Sequence, residues 1–195
     1  MGNKTKKVGV FASSILNSLW LFGFCMVIML FSLMFYAGDI NEILRFSLGV
    51  VMALPLFVLF FTRGSIVASK EFAKRNIAIT PDKSVEINRV SFWHGLVMIT
   101  PFFIVPIVFV LIGNITGVFA FQSIALYICI PATICFKAFG IMTTLTSANW
   151  ISVLIVGVFL FAVGSMYFLG FFKTLADKEK SFKEMLNEVK FNSKL

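Results

Sequence analysis

Carboxylates are missing from every long apolar run of this sequence. All nine Asp and Glu residues fall in three polar stretches, 39–42, 71–86 and 177–188. Histidine occurs once, at His94, and the three cysteines, Cys25, Cys129 and Cys135, show no CxxC spacing. Each shortage excludes a chemistry. Catalysis or proton coupling inside a bilayer needs Asp, Glu, His or a metal held within a span. This chain offers no paired Asp, no HExxH, no Ser with a credible histidine partner, no His/Cys cluster and no Walker A sequence. The cysteines give neither a disulfide framework nor a metal site and read as small core hydrophobes. His94, beside Trp93, reads as a polar anchor at a membrane interface rather than a catalyst. The chain is therefore expected not to be an enzyme and to hold no cofactor.

Charge is scarce throughout. Only 13% of the 195 residues are charged, 59% are hydrophobic, and the mean hydropathy is +0.96. A soluble domain carries about a quarter charged residues. So few charges cannot cover a water-facing surface, and lipid must be the solvent for most of the chain. Phe supplies 25 residues against 3 Trp and 3 Tyr. Its side chain has no polar atom to satisfy at hydrocarbon depth.

What is present reads as an all-α, polytopic integral membrane helix bundle. Its apolar segments lie at about 8–37, 43–61, 90–113, 118–136 and 150–172. The first run is far longer than a signal-peptide core and reads as a retained helix. Within it Gly9, Ser13 and Asn17 form one row and Ser14 and Ser18 the next, an arrangement that suits helix packing over cavity lining. Pro55 lies in segment two, and Pro101 and Pro106 in segment three. Each should bend its helix and free a carbonyl that a neighbouring helix, or Thr100, must satisfy. Residues 113–117 (GNITG) read as a turn, and the sequon at Asn114 is expected to carry no glycan so close to the membrane. Gly157 and Gly164, seven apart, share a face available for close packing.

The polar connection 62–89 organises the rest. Of the 17 Lys and Arg residues, only Arg45 and Lys137 lie outside the N-terminal tail, this loop and the 173–195 tail. The positive-inside rule places all three regions in the cytoplasm, with the N-terminus inside. Five plain crossings would put the C-terminal tail outside, so an even number, within a range of four to six, is expected. The weak place is 118–149, where Pro131, Lys137, Gly140 and a Thr/Ser run interrupt the apolar pattern. It is expected to enter and leave on the outer side as a broken hairpin, or to make two short crossings. Within the loop, 64–76 reads as a helical extension. Thr80-Pro81-Asp82 starts a helix feeding segment three or centres a hairpin, with the helix favoured.

Basic residues always sit beside apolar segments, which points to the headgroups of the lipid bilayer and not to nucleic acid. In the tail, Leu175, Phe182, Met185, Leu186 and Val189 recur at helical spacing among Lys and Glu. Lys70, Lys74 and Arg75 in the loop, with Phe182, Met185, Leu186 and Val189 in the tail, are the candidate contacts for lipid or a partner. The expected role is a non-catalytic accessory or structural subunit among other membrane protein subunits, in the plasma (inner) membrane. The alternative is a membrane-embedded substrate-binding subunit of a transporter, or a passive channel, whose interior the prolines at 55, 101, 106 and 131 would shape.

Overall fold

The computed structural model describes the backbone of residues 2–37, 40–75, 92–140 and 150–192. The side chains of Lys74, Arg75, His94, Leu186 and Val189 lie outside the described residues, as does the 76–91 connection with its helix-or-hairpin choice at Thr80-Pro81. Among the described residues the chain is helical and forms no strand. Its elements are α1 (Gly2–Ala37), α2 (Glu42–Arg75), α3 (Phe92–Thr116), α4 (Phe119–Ile128), α5 (Ile130–Ala138) and α6 (Trp150–Asn192). This is an all-α polytopic bundle.

Four helices are long and apolar enough to cross a bilayer, over Phe11–Leu33, Glu42–Lys70, Gly95–Thr116 and Trp150–Phe182. With 34 and 43 residues, α2 and α6 reach about 50 and 65 Å at ~1.5 Å per residue. Both outrun a hydrocarbon core of about 30 Å. The 62–75 stretch simply continues α2, and the charged tail continues α6 without a break. Neither junction holds a Pro, and Lys, Glu, Ala and Leu favour helix wherever water or a neighbouring helix covers them.

The prolines of α2 and α3 sit inside continuous helices. Pro101 lacks the N–H that would bond Val97 O. Ser14 Oγ of α1 donates to that freed carbonyl, and Asn17 Nδ2 donates to the next one, Met98 O, at 3.1 Å. The neighbouring helix makes good the missing bond, whereas Thr100 Oγ1 donates to Leu96 O at 2.7 Å.

Direction follows from which ends meet. Gly95 faces Phe171, Gly164 faces Phe103, and Asn114 Nδ2 donates to Ser152 Oγ at 3.1 Å, so α3 and α6 are antiparallel. Gly64 meets Tyr167 and Phe72 meets Phe182 with ring centroids 6.3 Å apart, so α2 and α6 are parallel. α1 runs parallel to α3, through Ser14–Val97 and Phe22–Phe102. The start of α1, the end of α2, the start of α3 and the end of α6 therefore share one end of the bundle. This is the basic end.

The remaining two helices do not cross. α4 leaves α3 through Gly117, at φ +68°, and Val118. α4 and α5 then meet at Cys129 with a 96° bend, because Pro131 in the first turn of α5 cannot extend the α4 ladder. α5 ends with Phe139 against Phe46 at the start of α2, ring centroids 5.2 Å apart. Both feet stand at the end opposite the basic one. The arms, 10 and 9 residues long, each reach about half the depth of a ~30 Å core. Backbone groups at such a break must be satisfied by protein. Buried Thr133 Oγ1 does so, donating to Leu126 O at 3.1 Å and Cys129 O at 3.2 Å.

Residues 113–117 are not a turn. Asn114 Nδ2 and Thr116 Oγ1 bond the carbonyls of Val110 and Ile112, one helical turn back, so α3 runs on to Thr116 and the connection shrinks to two residues. Gly113, inside the helix, is where Gln122 of α4 comes closest, within 2.8 Å of where a Cβ would stand.

Candidate functional site

Three places gather polar or unpartnered groups, and all are organised by α2 or by the hairpin. The first is the contact between α2 and α6. At Gly64 and Gly170 an added Cβ would run into the backbone of Tyr167 and of Phe61, so the two main chains touch. Ser65 Oγ donates across the contact to Gly170 O at 3.2 Å. Small residues permit this approach, and in lipid close van der Waals packing is the main force holding helices together. Beyond it, toward the basic end, Phe72 and Phe182 meet over a shallow groove of about 330 Å³ lined also by Ser69, Ala73, Lys178 and Met185. Met185 is 59% exposed.

The second place is the opposite flank of α2, where it faces α1. Arg63 lies over the Trp20 ring, 4.8 Å from its centroid, and Lys173 of α6 lies 6.0 Å from the Phe61 ring at the same level. These cations mark where the apolar part of the bundle ends. A recess of about 170 Å³ opens here, lined by Ser13, Asn17, Trp20, Arg63 and Lys70 among others.

The third is the hairpin interior. Gln122 and Ser152 are fully buried, and Gln122 Nε2 donates to Ser152 Oγ at 2.9 Å. Asn114 donates to the same hydroxyl, so one Ser oxygen ties α3, α4 and α6 together. Leu21, Phe60, Phe102 and Tyr167 are buried in the main core of the bundle. Among the described residues no three His, Cys, Asp or Glu side chains come close enough to hold a metal ion.

The seven residues singled out in the sequence fall at three places. Phe182 and Met185 line the α2–α6 groove, as do residues of the loop extension that pattern alone did not select, Phe72 and Ala73. Leu186 and Val189 continue α6, and Lys74 and Arg75 form the last turn of α2. Lys70 stands apart, on the α1 side of α2. The recess residues Ser13, Asn17, Trp20 and Arg63 were legible in part: positions 13, 17 and 20 share a helical face, as do 63 and 70. Of the polar row in α1, Ser14 and Asn17 pack against α3, whereas the buried Ser18 hydroxyl makes no hydrogen bond. Gly164 packs on Phe103, but Gly157 has nothing within 4 Å. Compared with protein-family models, curated proteins and solved structures, the chain matches none.

Proposed function

We propose that the chain is a non-catalytic accessory or structural subunit of a larger membrane complex. The observation that carries this reading is the α2–α6 rod. It runs past the apolar part of the bundle, where the exposed Met185 and half-buried Phe182 line a groove over buried Phe72, among Lys and Ser. Apolar surface of this kind outside the hydrocarbon marks a place where another protein or a membrane is met. The buried apolar core, with Leu21, Phe60, Phe102 and Tyr167 closed off from solvent, supports the same role. The basic end is assigned to the cytoplasmic face of a plasma (inner) membrane, on the placement of Lys and Arg.

Tagged protein is purified in mild detergent beside Phe182→Glu, and co-purifying proteins are identified by mass spectrometry. A stoichiometric membrane-protein partner that the variant loses is the expected result. Identical recovery by both proteins overturns the reading.

The second reading, a substrate-binding transporter subunit or a passive channel, has one observation in its favour. The re-entrant hairpin carries buried Gln122 and Thr133, and Gln122 bonds buried Ser152 of α6, an arrangement in which irregular backbone commonly lines a pathway. Solute flux through liposomes holding the purified chain alone, lost in Gln122→Leu, would move the assignment there.

A further inference from the structure

The flank of α2 that faces α1 is left open along much of its length. The recess at the basic end does not stop at Trp20. The same indole borders a second groove with Leu19, Gly23, Phe24 and Val27, and Phe24 borders a third with Val51, Leu54, Pro55 and Val58. The second space, of about 430 Å³, is lined by α1 alone, and the third, of about 630 Å³, lies between α1 and α2; they adjoin through Phe24. From Arg63 to Leu54 the course covers about 14 Å of helix rise, close to one leaflet of a ~30 Å core. Its walls change character on the way. Polar and cationic side chains line the mouth, and past Trp20 the lining is apolar, with Thr62 its single polar side chain.

The structure assigns this groove to one molecule of an anionic phospholipid, its phosphate between Arg63 and Lys70 and an acyl chain along Gly23 and Phe24. Charge complementarity selects the headgroup. Among the described residues no Asp or Glu lines the mouth, Arg63 is steadied by its contact with Trp20, and a planar guanidinium offers paired donors to phosphate oxygens. Gly23 selects the chain. A Cβ there would meet nothing within 4 Å, so the missing side chain opens the groove and satisfies no contact within the bundle. A transmembrane helix of a partner would fill the apolar part equally well. To answer Arg63 and Lys70 it would have to bring an acid to the membrane interface, where every anionic phospholipid already carries a phosphate.

Trp20 reports occupancy directly. In a Trp93→Phe/Trp150→Phe background it is the remaining indole of the 3 in the chain. Its fluorescence is measured in vesicles of dioleoyl phosphatidylcholine titrated with acyl-brominated phosphatidylglycerol or acyl-brominated phosphatidylcholine. Half-maximal quenching should come at a much lower mole fraction of the anionic lipid. Removing both cations, in Arg63→Gln/Lys70→Gln, should erase a preference of about 30-fold, from roughly tenfold per 1.4 kcal/mol and ~1 kcal/mol per basic residue. Gly23→Leu should fold, since the site is open and Leu is the better helix former. It should lower quenching by both lipids. Equal quenching by the two lipids in the parent protein overturns the assignment. So does an anionic preference that survives loss of both cations, or quenching by the two lipids that Gly23→Leu leaves unchanged. Protection of Trp20 from both brominated lipids gives the groove to a second helix and overturns it as well. Unbrominated glycerol phosphate in solution should not relieve the quenching; relief would reduce the site to a headgroup pocket.

Discussion

Two flanks of one helix contrast sharply. On one, α2 meets α6 across Gly64, Ser65 and Gly170 until the main chains touch. On the other, α2 faces α1, its neighbour in the chain, across a groove walled by Trp20, Phe24, Leu54 and Val58. Away from the basic end both flanks are mostly apolar, and no hydrophobic force distinguishes them, because lipid tails are as apolar as Leu. Side-chain size and hydrogen bonding decide instead. Where residues are small the helices close, and where they are large and staggered a groove stays open to lipid. Sequence adjacency has little say in the outcome.

The contrast can be broken most forcefully at Gly170. Gly170→Leu drives a side chain into the backbone of Phe61, and overpacking of this kind costs about 3 kcal/mol or more. Thermal unfolding in detergent should fall by many degrees, whereas Gly23→Leu on the open flank should leave it near the parent value. Similar losses at both sites would erase the distinction.

Ser152→Ala comes next. It removes the shared acceptor of Asn114 and Gln122 and should cost about 1–2 kcal/mol, the range for interhelical polar contacts in membranes. A loss in this range, read from the denaturant midpoint, would show that the hydroxyl ties the hairpin to α6. Ser14→Ala is smaller, about 1 kcal/mol. It uncaps the Val97 carbonyl that Pro101 frees, so Pro101→Ala, which restores the backbone bond, should make the same Ser14 change nearly silent. Gly157→Ala lies at the far end of the scale. With open space around its Cβ, it should be neutral or raise stability by up to about 1 kcal/mol through helix propensity.

Much of this architecture was legible in the sequence. Hydropathy located the crossings, and the distribution of Lys and Arg required an even number of them. Pro131 and Gly140 pointed to the segment that turns back. Helix length was not legible from apolarity alone, because α2 and α6 continue past the hydrocarbon as amphipathic or charged helix. The end of α3 was misread because Gly113 and Gly117 look alike in the sequence. Only Gly117 takes a positive φ, while Gly113 makes room for Gln122. The close contact of α2 with α6 was missed although Gly64 and Ala68 stand four apart, the spacing that marks helix contacts. Such a signal shows that a face packs, and leaves open which helix it packs on. The recess between α1 and α2 joins residues 13 to 70, and no local pattern links the two helices.

The central claim is that four crossings and a hairpin bring the ends of α2 and α6 together. It is tested most directly by cross-linking Phe72→Cys to Phe182→Cys in intact membranes. Cys25, Cys129 and Cys135 are first replaced by Ala, and a protease site is inserted between Lys83 and Ser84. A short bismaleimide should join the two cysteines, whose parent rings lie 6.3 Å apart, and the cleaved chain should migrate as one species under denaturing conditions. Two separate fragments, with each cysteine labelled from an opposite face of the membrane, would show that the α4–α5 pair crosses after all and would contradict the fold described here.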